Sequence, residues 1–122
     1  MFLLPLFCSF LLISTSFATR CAYTFNLSCQ DPQDVARVEF HKQGYQNRSA
    51  YYGEFRLYRG RTQFTSIFDV YNYSGGSEAF HEIRGSLQYS CGGSKATVGL
   101  TSTVPVHLRQ YEHTMDLDLM HQ

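Results

Sequence analysis

Two stretches of this chain alternate strictly between apolar and polar residues, and each ends in a cysteine. Tyr23, Phe25, Leu27 and Cys29 are separated by Thr24, Asn26 and Ser28, while Leu87, Tyr89 and Cys91 are separated by Gln88 and Ser90. A period of two is the period of a β-strand, whose successive side chains point to opposite faces. Each strand therefore carries its cysteine on its apolar face, looking into a core. A bridge between two such strands would hold them face to face and exclude most helical folds.

The rest of the chain continues the β pattern. Gln30 to Asp34 is turn chemistry, after which Val35 to Lys42 alternates, with Val38 and Phe40 set against Arg37, Glu39 and His41. Gly44 to Ser49 is polar and reads as a loop. Glu54 to Tyr58 and Thr62 to Tyr73 form two β-rich runs around Arg59-Gly60-Arg61. Ser74 to Ser77 is a turn, Ala79 to Ile83 a short strand, and Gly85-Ser86 punctuates before the Cys91 strand. Gly92-Gly93-Ser94-Lys95 reads as a hairpin turn. Ala96 to Thr101 and Thr103 to Leu108 follow, with Pro105 implying an edge or a bulge. Nine Tyr, ten Phe and no Trp suit half-buried pleated surfaces. The expectation is an all-β domain over residues 19–110, with seven to nine short strands in a sandwich or barrel. Residues 111–122 are polar, acidic and aperiodic and read as a loose tail.

The first eighteen residues read as a signal peptide. Leu3 to Ile13 is an apolar core of the right length, and Ser16 and Ala18 are small residues suitably placed before a cut after Ala18. No later stretch is apolar for long enough to span a bilayer. The expected product is secreted through the endoplasmic reticulum, with no stable membrane insertion. Three sequons follow, at Asn26, Asn47 and Asn72, and make N-glycosylation the expectation.

Cleavage would remove Cys8 and leave Cys21, Cys29 and Cys91, an odd number for an oxidising compartment. Three intramolecular pairings exist and each strands one thiol. The alternation favours Cys29–Cys91, which closes an interval of 62 residues. Cys21 shows no strand pattern of its own and is then free, or bridges to a second chain and makes a dimer.

Catalytic signatures are missing. The five histidines show no His-x-His or His-Glu-x-x-His spacing, no Gly-x-Ser-x-Gly is present, and the carboxylates form no recognisable pair. Metal and cofactor binding are not expected, and neither is enzyme activity. A formal net charge of zero gives no support to a nucleic-acid partner. Tyr51 and Tyr52, close in sequence to Arg56, Arg59 and Arg61, are the residue types that concentrate in binding hot spots. A sugar on Asn72 would restrict access to Tyr71 and Tyr73.

These residues resemble the immunoglobulin-like fold. Leu27-Ser28-Cys29-Gln30 looks like its B strand, and Val38 to Lys42 looks like its C strand with Phe40 in the place of the usual Trp. Tyr89-Ser90-Cys91 resembles the Tyr-x-Cys of its F strand, where the tyrosine makes a corner two residues before the second cysteine. The missing Trp and the reduction of the usual Asp-x-Gly to Arg84-Gly85-Ser86 depart from that pattern. The resemblance implies a variable-like, antiparallel sandwich with a Cys29–Cys91 bridge between sheets and a core that includes Phe40, Tyr89, Leu27 and Leu87. A lone glycosylated domain of this kind is similar to the secreted accessory glycoproteins of animal viruses, such as coronavirus immunoglobulin-like accessory proteins and adenovirus early-region glycoproteins. That similarity implies immune evasion: a secreted glycoprotein that binds a host immune or cell-surface protein. Two other readings fit the same residues: a carbohydrate-binding β-module stacking sugars on exposed tyrosines, and a structural oligomer linked through Cys21.

Overall fold

In the computed structural model, which describes residues 18–44, 49–71 and 79–119, the alternation around Cys29 runs through a strand of twelve residues, β1 (Ala18–Cys29). Six further strands follow among the described residues: β2 (Pro32–Lys42), β3 (Tyr51–Arg56), β4 (Gly60–Tyr71), β5 (Phe80–Cys91), β6 (Ser94–Pro105) and β7 (Gln110–Asp118). They make two sheets, β4-β1-β7 and β3-β2-β5-β6, packed as a sandwich. Apart from Ala18, which opens β1, the expected signal segment lies outside the described residues, and so do Asn47 and Asn72.

The inner face of β1 supplies the floor of the core: Cys21, Tyr23, Phe25, Leu27 and Cys29 are all at most 1% exposed. Ala36, Val38 and Phe40 of β2 and Ile83, Leu87, Tyr89 and Cys91 of β5 cover it from the other sheet. Cys29 and Cys91 are bridged, with their Cα atoms 6.1 Å apart, so the disulfide joins the two sheets. In the middle of the sandwich Phe68, Tyr23, Phe40 and Tyr51 form one aromatic cluster. Tyr23 stacks on Phe40 at 4.4 Å between ring centroids, and Phe68 lies 5.1 Å from Phe40. Aromatic rings in such offset contact supply both buried area and directional attraction, which a core without Trp needs.

Three smaller details differ from the expectation. Cys21 lies inside β1, on its inner face and 0% exposed, because the strand starts earlier than Tyr23. β5 runs unbroken through Gly85-Ser86, since Phe40 lies directly opposite Gly85 and its ring fills the space a side chain would take. β6 is one strand rather than two, and Pro105 closes it at the edge of its sheet.

The largest correction concerns 111–122. Rather than a loose tail, Gln110–Asp118 is a strand that pairs with β1, and in a parallel sense, so the sandwich is not wholly antiparallel. Chain direction explains this. The chain crosses between the sheets after β1, after β3, after β4 and after β6, and these crossings, with the β2–β3 and β5–β6 hairpins between them, return it beside β1 running the same way. The β5–β6 turn needs positive φ at two successive residues, and Gly92 (φ 68) and Gly93 (φ 85) provide it.

Candidate binding surface

The outer face of the four-stranded sheet holds a network of polar side chains in fixed relations. Arg37 on β2 stands opposite Glu54 on β3, and its Nε donates to Glu54 Oε2 at 2.8 Å. The Tyr52 hydroxyl donates to the same oxygen at 3.0 Å. Glu54, by hydrogen bond and by charge, raises the Arg37 guanidinium further above its ordinary pKa. One row along, the Glu39 carboxylate accepts a hydrogen bond from the Ser49 hydroxyl, and that bond lowers its pKa below the ordinary carboxylate value. His41 Nε2 sits 3.4 Å from the same carboxylate. These groups are partly open to water, the charged ones between about a third and a half exposed, so each pair adds little stability and serves mainly to orient side chains.

Beside this network the β2–β5 ladder is irregular. The register slips between Gln33 and Arg37, where four steps along β2 match two along β5. A bulge of that kind bends the strand and opens the surface. The result is an open groove of about 510 Å³, lined by Val35, Arg37, Gln88, Ser90, Lys95 and Thr97 among others. It offers two cationic donors, an amide and two hydroxyls over an aliphatic patch. Such a lining can hydrogen-bond carbonyl and carboxylate oxygens of another molecule. Among the described residues no group of three or more His, Cys, Asp or Glu is placed to hold a metal ion.

The residues singled out in the sequence do not form one surface. Tyr51 points inward, its ring 5.8 Å from Phe68 and 6.4 Å from Phe40. Tyr52 and Arg56 point out of the four-stranded sheet, Arg59 lies in the connection before β4, and Arg61 sits on the outer face of the three-stranded sheet opposite Ser28. Parity along β3 separates the two tyrosines, because neighbours in a strand face opposite ways. Tyr58 and Tyr71 are exposed but on different elements, and Tyr73 lies outside the described residues.

Asn26 lies on the outer face of β1, in the middle strand of the other sheet. Its Nδ2 donates to Asp116 at 2.9 Å and its Oδ1 accepts from Gln63 at 2.9 Å. A sugar on that nitrogen would stand over the three-stranded sheet and leave the four-stranded face open. Cys21, which was expected to be free or to bridge a second chain, is a free thiol buried in the core; burial pushes its pKa up to about 12, so it is neutral and shielded.

Leu27, Leu87, Phe40 and Tyr89 are all core residues. Register places Phe40 opposite Gly85, six residues from Cys91 along β5, so it belongs to the aromatic cluster rather than beside the disulfide. The Tyr89 hydroxyl donates, at a long 3.5 Å, to the carbonyl of Leu119, just beyond β7. The groove residues Gln88, Ser90 and Lys95 carried no signal in the sequence: the slip that opens the groove arises only when β2 meets β5. Comparison of the chain with protein-family models, curated proteins and solved structures found no match.

Proposed function

We propose that this chain is a secreted, N-glycosylated immunoglobulin-like binding protein that engages a host immune or cell-surface protein through the outer face of its four-stranded sheet, as a viral immune-evasion glycoprotein would. The observation that carries the reading is the division of labour between the two faces. One bears the sequon Asn26 within a polar ladder. The opposite one presents the Arg37–Glu54–Tyr52 network and the groove beside it.

Several features support the immunoglobulin-like part. β1 and β5 take the places of the B and F strands, with the bridge between them. β2 and β3 flank β5 on one side and β6 on the other, as C, C′ and G strands do, while β4 lies beside β1 as an E strand does. The place of an A strand is filled here by β7, in parallel to β1. A fold of this type carries many functions, so function lies in the surface rather than in the fold.

The test is binding of the secreted, fluorescently labelled protein to a panel of leukocytes and epithelial cells by flow cytometry. The combined variant Arg37→Glu/Lys95→Glu should reduce binding at least tenfold, while Thr65→Lys on the opposite face should leave it unchanged. Cell binding that is lost only on removal of cell-surface glycans, with no dependence on Arg37 or Lys95, would replace this reading with sugar recognition.

A further inference from the structure

The edge strand β6 has two properties its own fold does not require. It runs Ser94–Pro105 in unbroken register with β5, and among the described residues no strand pairs with its far side. Its sequence holds a single charge, Lys95, and its only proline is the last residue. Long edge strands are ordinarily blunted by charge, by bulges or by shortness, because their free N–H and C=O groups invite another strand. The other edges of this sandwich follow that rule. β3 has six residues and carries Glu54 and Arg56. β7 bears Glu112, Asp116 and Asp118 on its outer face, so two copies paired about Thr114 would set Asp116 against Glu112. β4 lies against β3 along the side of the sandwich, with Phe64 stacked on Phe55 at 4.2 Å.

The second property is Gly99, in the middle of β6. A glycine inside a strand marks a bulge, a tight bend or a place where another backbone comes close. No register shift occurs here, its φ is not left-handed, and a Cβ would meet nothing nearer than the Gly85 carbonyl oxygen at 3.9 Å. The protein's own packing leaves room for a side chain.

From these we infer that β6 pairs antiparallel with β6 of a second copy about a two-fold axis at Gly99, merging the two four-stranded sheets into one. In that register Val98 stands opposite Leu100 of the second copy on the inner face, where both are only half-buried in one copy. Thr97 stands opposite Thr101 on the outer face, a favourable cross-strand pair. Lys95 stands opposite Thr103, in the row whose next member is Glu82. Moving the axis by one residue in either direction removes this complementarity. Centred on Val98, Lys95 would join the row of Thr101 and Arg84; centred on Leu100, it would face Pro105 beside Phe80. Charge thus selects the register in which the glycine lies on the axis. The dimer is independent of Cys21; it shares Lys95 and Thr97 with the groove of the proposed partner site, whereas Gly99, on which its decisive variant acts, lies outside that lining.

The experiment is sedimentation velocity of the secreted protein under reducing conditions mild enough to spare the buried bridge, across protein concentrations from about 5 to about 500 µM. The wild type should pass from monomer to dimer in that range. Gly99→Asp, which sets two carboxylates face to face, should remain monomeric at every concentration while keeping the wild-type circular dichroism. Lys95→Glu should weaken dimerisation roughly tenfold. Register is checked by cross-linking in a Cys21→Ala background. Residues opposite each other on the axis have Cα atoms about 4.5–5.5 Å apart, within disulfide reach, so Gly99→Cys should oxidise to a covalent dimer. Thr97→Cys should not, because its two copies lie about 13 Å apart. A wild type that stays monomeric at about 500 µM, or a dimer that Gly99→Asp leaves intact, overturns the inference.

Discussion

Replacing Gly85 with alanine should destabilise the protein by about 2 kcal/mol. A Cβ at Gly85 would lie 2.5 Å from Phe40 Cε1 and 2.7 Å from Cδ1, roughly 1 Å inside ordinary contact. The ring has nowhere to retreat. It is fully buried, stacked on Tyr23 at 4.4 Å and set against Phe68 at 5.1 Å and Tyr51 at 6.4 Å. Relieving the overlap therefore means moving several rings together. Overpacking typically costs about 1–3 kcal/mol, and the crowding here places the penalty near the top of that range. Alanine recovers roughly 0.5–1 kcal/mol through its smaller loss of backbone freedom, which leaves the net near 2 kcal/mol. With an m-value near 1.5 kcal/mol per molar, the urea midpoint should fall by about 1.3 M. Gly99→Ala, measured at low protein concentration, is the control, since its Cβ would make only an ordinary contact, 3.9 Å from the Gly85 carbonyl oxygen. It should raise stability by about 0.5–1 kcal/mol. Trimming the ring should also release the strain, so Phe40→Leu must cost less in the Gly85→Ala background than alone. A Gly85→Ala protein as stable as the wild type, or a double-mutant cycle with no coupling, would refute the placement of the Phe40 ring over Gly85.

Converting both Cys29 and Cys91 to alanine opens a loop of 62 residues, and chain entropy alone predicts a loss of about 4 kcal/mol, read as a lowered urea midpoint and poor secretion. Cys21 should resist alkylation in the native protein and react once urea is added. Its pKa is raised in the folded state, from 9.0 to about 12, so the stability it contributes is intact below pH 9 and lost as pH rises towards 12. Thermal melts across that window should fall less steeply for Cys21→Ala than for the wild type. Met115→Asp, on the inner face of β7 opposite Phe25, should abolish secretion or cost more than about 2 kcal/mol, whereas Thr114→Asp on the outer face should change little.

Much of the fold was legible because a strand's period is short and local. Alternation marked β1, β2 and β5, and parity alone placed Cys29 and Cys91 on inward faces. The pair Gly92-Gly93 announced its turn because two successive positive φ values are hard for any other residue. β7 shows where this reading stopped. Tyr111, His113, Met115 and Leu117 do alternate with Glu112, Thr114, Asp116 and Asp118, but the inner face includes a histidine and is only half-buried. At an edge the apolar contrast weakens, and acidic neighbours disguised what remained. Gly85 misled for the opposite reason: its lack of a side chain answers to a ring 45 positions earlier in the chain, not to a break in the strand.

By itself, then, the sequence determined that β1, β2 and β5 hold strands, which faces of them are apolar, where the sharp turn falls and that Cys29 and Cys91 look inward, because each follows from neighbours a few positions apart. The tertiary structure alone decided which strands pair and in what direction, that β7 closes the three-stranded sheet in parallel, that Tyr51 and Tyr52 part company, and that a slip between β2 and β5 opens a groove. Those outcomes depend on register between segments distant in the chain, and register is set by how two whole surfaces fit together, which no single stretch contains.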